Sequence, residues 1–134
     1  MTATTESIET PRRDGNLVAH GVAASTKVLE GTLVKLTSGY AESMTKAASL
    51  VFAGVAYEEI DNTSGSAGDK VVRVERTGIF EFAMSGAAIT DIGSEVYALD
   101  NQTVTKTGTD ATRVGKIVAF ENAGKVFVDI GGEC

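Results

Sequence analysis

Lys70-Val71-Val72-Arg73-Val74-Glu75-Arg76-Thr77-Gly78-Ile79-Phe80-Glu81-Phe82 is the stretch whose periodicity decides the fold class. Val72, Val74, Gly78, Phe80 and Phe82 fall on one parity, and Arg73, Glu75, Thr77 and Glu81 fall on the other. A strand turns successive side chains to opposite faces, so this alternation sets an apolar face against a core and leaves the charges in water. Arg76 interrupts the apolar parity, and Gly78 sits mid-run, where strands bulge or bend. Two strands, or one long bent strand, are expected here.

The same period of two recurs on both sides. Downstream it appears in Ser94–Leu99, Thr103–Thr105, Arg113–Phe120 and Lys125–Ile130, and upstream in Gly31–Leu36. Leu50 to Tyr57 is apolar on both parities, which predicts a strand covered on both faces. Between these runs lie Ser38-Gly39, Gly65 to Asp69, Asp100-Asn101, Thr107-Gly108 and Asn122-Ala123-Gly124, all residue types that turn a chain sharply. About seven or eight short strands at such spacing predict an all-β fold, a small β-barrel or β-sandwich. Ala41–Ser49 and Ser85–Ile92 are candidates for short helices, although neither carries a strong amphipathic stripe.

Residues 1–16 read differently. The first ten positions are rich in Thr and Ser and hold one large aliphatic residue, Ile8; Pro11, Arg12, Arg13, Asp14 and Gly15 follow. Such a segment buries too little apolar surface to offset its own ordering entropy. The chain therefore divides into an extended N-terminal arm, residues 1–16, and a single β domain, residues 17–134.

Composition excludes several classes. The 134 residues include 15 Gly, one Pro, no Trp and one Cys, and the formal net charge is −6. One Cys forms no intrachain disulfide and no multi-cysteine zinc site. An acidic chain whose only basic doublet is Arg12-Arg13 lacks the basic face that phosphate neutralisation requires, so direct nucleic-acid binding is not expected. No apolar run is long enough to span a bilayer, and the first residues do not read as a secretory signal.

Catalytic inventory is equally thin. His20 is the single histidine and has no Cys or carboxylate at metal-ligand spacing, and Cys134 follows Gly131-Gly132-Glu133 with nothing nearby to lower its pKa. Glu58-Glu59-Ile60-Asp61-Asn62 is the densest acidic cluster. Set on a calcium-loop template, Asp61 to Gly65 places its Gly one position early and puts Val72 where the bidentate Glu belongs. Neighbouring strand residues also point to opposite faces, so Glu58 and Glu59 do not converge without a turn. Gly65-Ser66-Ala67-Gly68 lacks the Lys of a phosphate loop, and Asn62-Thr63-Ser64 and Asn101-Gln102-Thr103 read as accidental glycosylation triplets.

The order of the pieces is more informative than any one of them. Phe52-Ala53-Gly54-Val55-Ala56 precedes Val72 to Phe82, and Ala88 to Asp100 follows with Asp91-Ile92-Gly93-Ser94-Glu95-Val96-Tyr97 inside it. Thr103-Val104-Thr105, Val114-Gly115-Lys116-Ile117-Val118 and Val126 to Ile130 complete the series. This order resembles the capsid decoration (cement) proteins of tailed bacteriophages, particularly those in the head-gene clusters of Mu-like and related phages. The resemblance implies a non-enzymatic, cofactor-free β domain on the outer surface of the virion. It would be made in the bacterial host cytoplasm and seated at capsomer junctions, where it holds the shell against DNA pressure. Its implied partners are the major capsid protein and copies of itself, with a trimer favoured over a dimer or monomer, and no membrane. The arm is the expected shell contact through Thr5, Ile8, Thr10, Pro11, Arg12 and Arg13, since threonines suit an extended strand and Ile8 an apolar pocket. The competing readings are a head-tail connector or tail-tube subunit and, further off, a carbohydrate-binding β module, against which the lack of Trp counts.

Overall fold

The computed structural model describes residues 16–130. In chain order the strands are β1 (Leu17–Gly21), β2 (Thr26–Val28), β3 (Leu33–Thr37), β4 (Tyr40–Ser43), β5 (Val51–Ala56) and β6 (Ile60–Asn62). They continue as β7 (Val71–Glu75), β8 (Gly78–Ala83), β9 (Glu95–Ala98), β10 (Val104–Thr105), β11 (Arg113–Asn122) and β12 (Lys125–Ile130). One antiparallel sheet has the order β1-β7-β5-β3-β4, a second has β10-β9-β11-β12-β8, and β2 and β6 form a ribbon. A Val22–Ala41 bridge brings the two ends of the first sheet together, so that it curls into a half-barrel.

The deciding stretch resolves into two strands in two different sheets, β7 in the first and β8 in the second. Arg76-Thr77 carries the chain across, and Gly78 makes the bend with φ +132°. Each half fills its own core. Val72 and Val74 join Val22, Val28, Val34, Ala41 and Ala56 inside the half-barrel, where Ile60 of the ribbon also packs. Phe82 joins Leu33, Val55, Val96, Ile117 and Val128 between the first sheet and the second. Successive residues Leu33 and Val34, and likewise Val55 and Ala56, thus face different cores. That is why the Leu50–Tyr57 run is apolar on both parities.

All-β architecture is as expected, but with more strands. Twelve are present among the described residues. The additional ones are β1, β2, β4 and β6, each of three to five residues. Neither helix candidate forms. Ala41, Glu42 and Ser43 belong to β4, which pairs with β3 across the two-residue turn Ser38-Gly39. Both turn residues have positive φ, 52° and 86°, the conformation whose twist suits a hairpin. Ladder hydrogen bonds there outcompete a short helix, whose nucleation is costly. Ser85–Ile92 contains a single 3-10 turn at Ile89–Asp91.

Candidate functional site

The expected contact residues Thr5, Ile8, Thr10, Pro11, Arg12 and Arg13 lie outside the described residues, as does Cys134. What the structure does fix is where Asn16 and Ile130, the two ends of the described residues, lie. The Arg76 N–H donates to the Asn16 carbonyl at 2.8 Å, so the chain enters β1 beside the β7–β8 bend. β12 ends with Ile130 opposite Gly78, on the same bend. Asn16 and Ile130 therefore lie at one corner of the domain.

His20 stands on β1 opposite Val72. Burial lowers its pKa, and the positive charge of Arg76 lowers it further, both favouring the neutral imidazole. The acidic cluster is dispersed across the bend between β5 and β6, not along one strand as expected. Glu58 takes the Arg73 guanidinium in a fork, at 2.9 and 3.1 Å, and accepts the Arg73 backbone N–H at 3.0 Å. These hydrogen bonds hold its carboxyl below the usual range. Glu59 turns the other way to Lys27, at 3.4 Å. Asp61 accepts the Thr63 hydroxyl at 2.7 Å and the Thr63 N–H at 3.0 Å, and both lower its pKa.

Beside Asp61 lies a cavity of about 360 Å³ lined by residues 61–65, Asp69 and Lys70. Lys70 donates its ammonium to the Asp61 carbonyl at 2.8 Å and brings a positive charge to that wall. Asn62 is buried, and its amide nitrogen donates to the Val22, Ala23 and Ser66 carbonyls at 3.3, 3.1 and 3.0 Å. The Asn62 side chain thus pins the ribbon to the half-barrel, and its amide is not presented as a glycan acceptor. Among the described residues no group of three or more His, Cys, Asp or Glu side chains is placed to hold a metal ion.

Asp91 is the polar centre of the second core's rim. It is 5% exposed, accepts the Lys106 ammonium at 2.6 Å and accepts the Ala88 N–H at 2.9 Å. The Lys106 hydrogen bond, and then the Ala88 one, holds its carboxyl below the usual range. It fixes the turn that delivers Gly93 to β11, where the Gly93 N–H donates to the Ile117 carbonyl at 2.8 Å.

Sequence reading missed a groove of about 460 Å³ where the two sheets part. Glu30, Val55, Tyr57, Glu75 and Phe80 line it. These residues come from separate stretches of chain, and no local pattern announces their meeting.

The sequence profile of the phage cement proteins, described as "Phage cement protein", matches residues 12–131. The chain belongs to the phage cement protein family. Among solved structures, one chain of "The capsid of Myoviridae Phage XM1" is similar, with a TM-score of 0.58 and 22% identity. That alignment covers 97% of this chain and 95% of the other, and at this identity it shows the fold. No curated protein matches the chain. As a cement protein it is a capsid-associated structural protein of a phage virion. No helix among the described residues is long and apolar enough to cross a membrane.

Two glycines of the ordered motifs acquire a physical reason in this cement-protein fold. Gly54 of Phe52–Ala56 has φ +140°, and a Cβ there would run into the Glu75 carbonyl. A Cβ on Gly115 of Val114–Val118 would run into the Asp129 carbonyl. Both positions let two strands approach more closely than a side chain permits.

Proposed function

We propose that this cement protein binds the outer surface of a phage head at junctions between capsomers and resists expansion driven by packaged DNA. The observation that carries the reading is the family match, which spans almost the whole chain. The disposition of charged side chains favours a clamp without catalysis: Glu58, Glu59 and Asp91 are each paired with a neighbouring Arg or Lys. A net charge of −6 suits a protein kept outside the shell, away from DNA. Many modest contacts repeated by symmetry then hold without any single tight site.

The arm is the attachment element in this proposal. Thr5 and Thr10 favour an extended strand that adds to an exposed sheet edge, and Ile8 fills an apolar pocket. Pro11 keeps the segment extended, and Arg12 and Arg13 pair with acidic groups on the assembled particle. Deletion of residues 1–16, followed by co-sedimentation with empty expanded heads, tests this; undiminished binding of the deleted protein rejects the arm. Stoichiometry against the major capsid protein in purified particles tests the role itself. A ratio near unity is expected, and a handful of copies per particle rejects decoration.

A further inference from the structure

The free edge of β8 and the acidic groove beside it form a docking surface, and we propose that it accepts an extended, arginine-bearing segment of the phage shell as an added strand. This inference rests on the shell binding proposed above and names a surface and a partner chemistry for it. β8 ends the second sheet, with β12 as its one ladder partner. The Ala83 N–H points away from β12 and donates to the Gln102 carbonyl at 3.1 Å, and a bridge from Ala83 to Thr103 closes that end of the edge. Main-chain groups alternate sides along an antiparallel strand, so Ile79 and Glu81 turn theirs outward as Ala83 does. Among the described residues no hydrogen bond reaches those outward groups of Ile79 and Glu81. Ile79 is also 60% exposed. Each of the two residues thus offers an N–H and a C=O to a passing chain, which is the template for strand addition.

The groove selects what kind of segment. Phe80 of β8 lines it together with Tyr57, Glu30 and Glu75, and neither carboxylate has an ion-pair partner among the described residues. Two unneutralised carboxylates beside aromatic rings favour a guanidinium over a compact ammonium. The molecule uses the same combination next door, where the Arg73 guanidinium lies 5.0 Å from the Tyr57 ring centroid while it pairs with Glu58. Side chains of an extended segment alternate between faces, so an arginine on one parity enters the groove while its neighbours point away. Backbone hydrogen bonds to the edge then supply affinity, and the arginine supplies selectivity.

Charge decides the source of the segment. A second copy of this chain brings the same net charge of −6, which an acidic groove repels. Its one basic doublet, Arg12-Arg13, stands three to four residues ahead of Asn16, a reach of at most about 14 Å from its own domain. Asn16 itself lies against Arg76, on the β1 side of β7, whereas the groove lies where β5 flanks β7. A cationic segment of the shell meets both demands, pairing its main chain with β8 and its arginine with Glu30 and Glu75. Used together with the arm, a second point of attachment raises the effective concentration of the first.

Titration of the full chain against empty expanded heads tests it. E30R/E75R is expected to bind roughly tenfold more weakly than the unaltered protein. Glu81→Pro is expected to lose a similar factor, because it removes an outward N–H and leaves the β12 ladder intact. Glu81→Gln, which changes charge but not backbone, is expected to bind as the unaltered protein does. Thermal unfolding of each variant separates loss of binding from loss of fold. A second measurement needs neither charge reversal nor proline: a photo-reactive benzoylphenylalanine in place of Ile79, irradiated on heads, is expected to join the major shell protein within a stretch that contains arginine. Undiminished binding of E30R/E75R or of Glu81→Pro overturns the edge contact alone. Cross-linking only to the chain's own arm or to a second copy overturns it as well. Heads that fail to take up the unaltered protein overturn the shell reading itself, and this contact with it.

Discussion

Gly54 and Asp91 show how single residues hold this fold. At Gly54 both the positive φ and the nearby Glu75 carbonyl oppose a side chain, so Gly54→Ala strains β5 against β7. The expected cost is about 2–3 kcal/mol, a fall of roughly 10 °C in the unfolding midpoint for a domain of this size. Gly124→Ala is the control, because its Cβ would meet only Asn122 Oδ1, at an ordinary 3.6 Å, and calorimetry should find its midpoint nearly unchanged. Asp91 makes a pH prediction. Its carboxyl titrates lower in the folded chain than in the unfolded one, because the charged form is held by Lys106 and Ala88. The stability it confers is complete above the unfolded value of about 3.9 and is lost as pH falls through the lower folded value. Asp91→Asn should therefore lower the midpoint at neutral pH, and the gap to the unaltered protein should close in acid. A gap that stays constant down to pH 2 would rule the charge out as its cause.

At the scale of elements, the run from Lys70 to Phe82 was legible as β structure and yielded its core residues by parity. Val72, Val74 and Phe82 are indeed buried, with Val72 and Val74 fully so. Their distribution between two cores was not legible, since parity says which side a residue faces but not which sheet it joins. Phe80 and Phe82 share a parity, yet Phe82 is sealed in the second core while Phe80 is only partly buried and borders the groove. Phe82→Ala is expected to cost about 3–5 kcal/mol by opening a cavity. Phe80→Ala should cost clearly less, and denaturant melts of the two variants measure the difference. The same limit explains β4. Ala41 to Ser49 carried no decisive period, and the Ser38-Gly39 turn, not local propensity, placed its first residues in a strand.

For the whole molecule, residues of the β domain supply both cores described among residues 16–130. A chain beginning at residue 16 is therefore expected to unfold within a few degrees of the full protein while losing head binding. Thermal scans and co-sedimentation on the same preparation check both halves of that expectation. The sequence by itself determined the fold class, the apolar faces and most turn positions, because these follow from local period and residue type. Its motif order also carried the family. Only the tertiary structure decided which strands share a sheet, that Asn16 and Ile130 meet at the β7–β8 corner, and that Glu30, Glu75, Tyr57 and Phe80 border one groove. Those facts depend on pairing between segments far apart in sequence, which is set by the total burial and hydrogen bonding of the folded chain. No stretch of ten or fifteen residues contains that information.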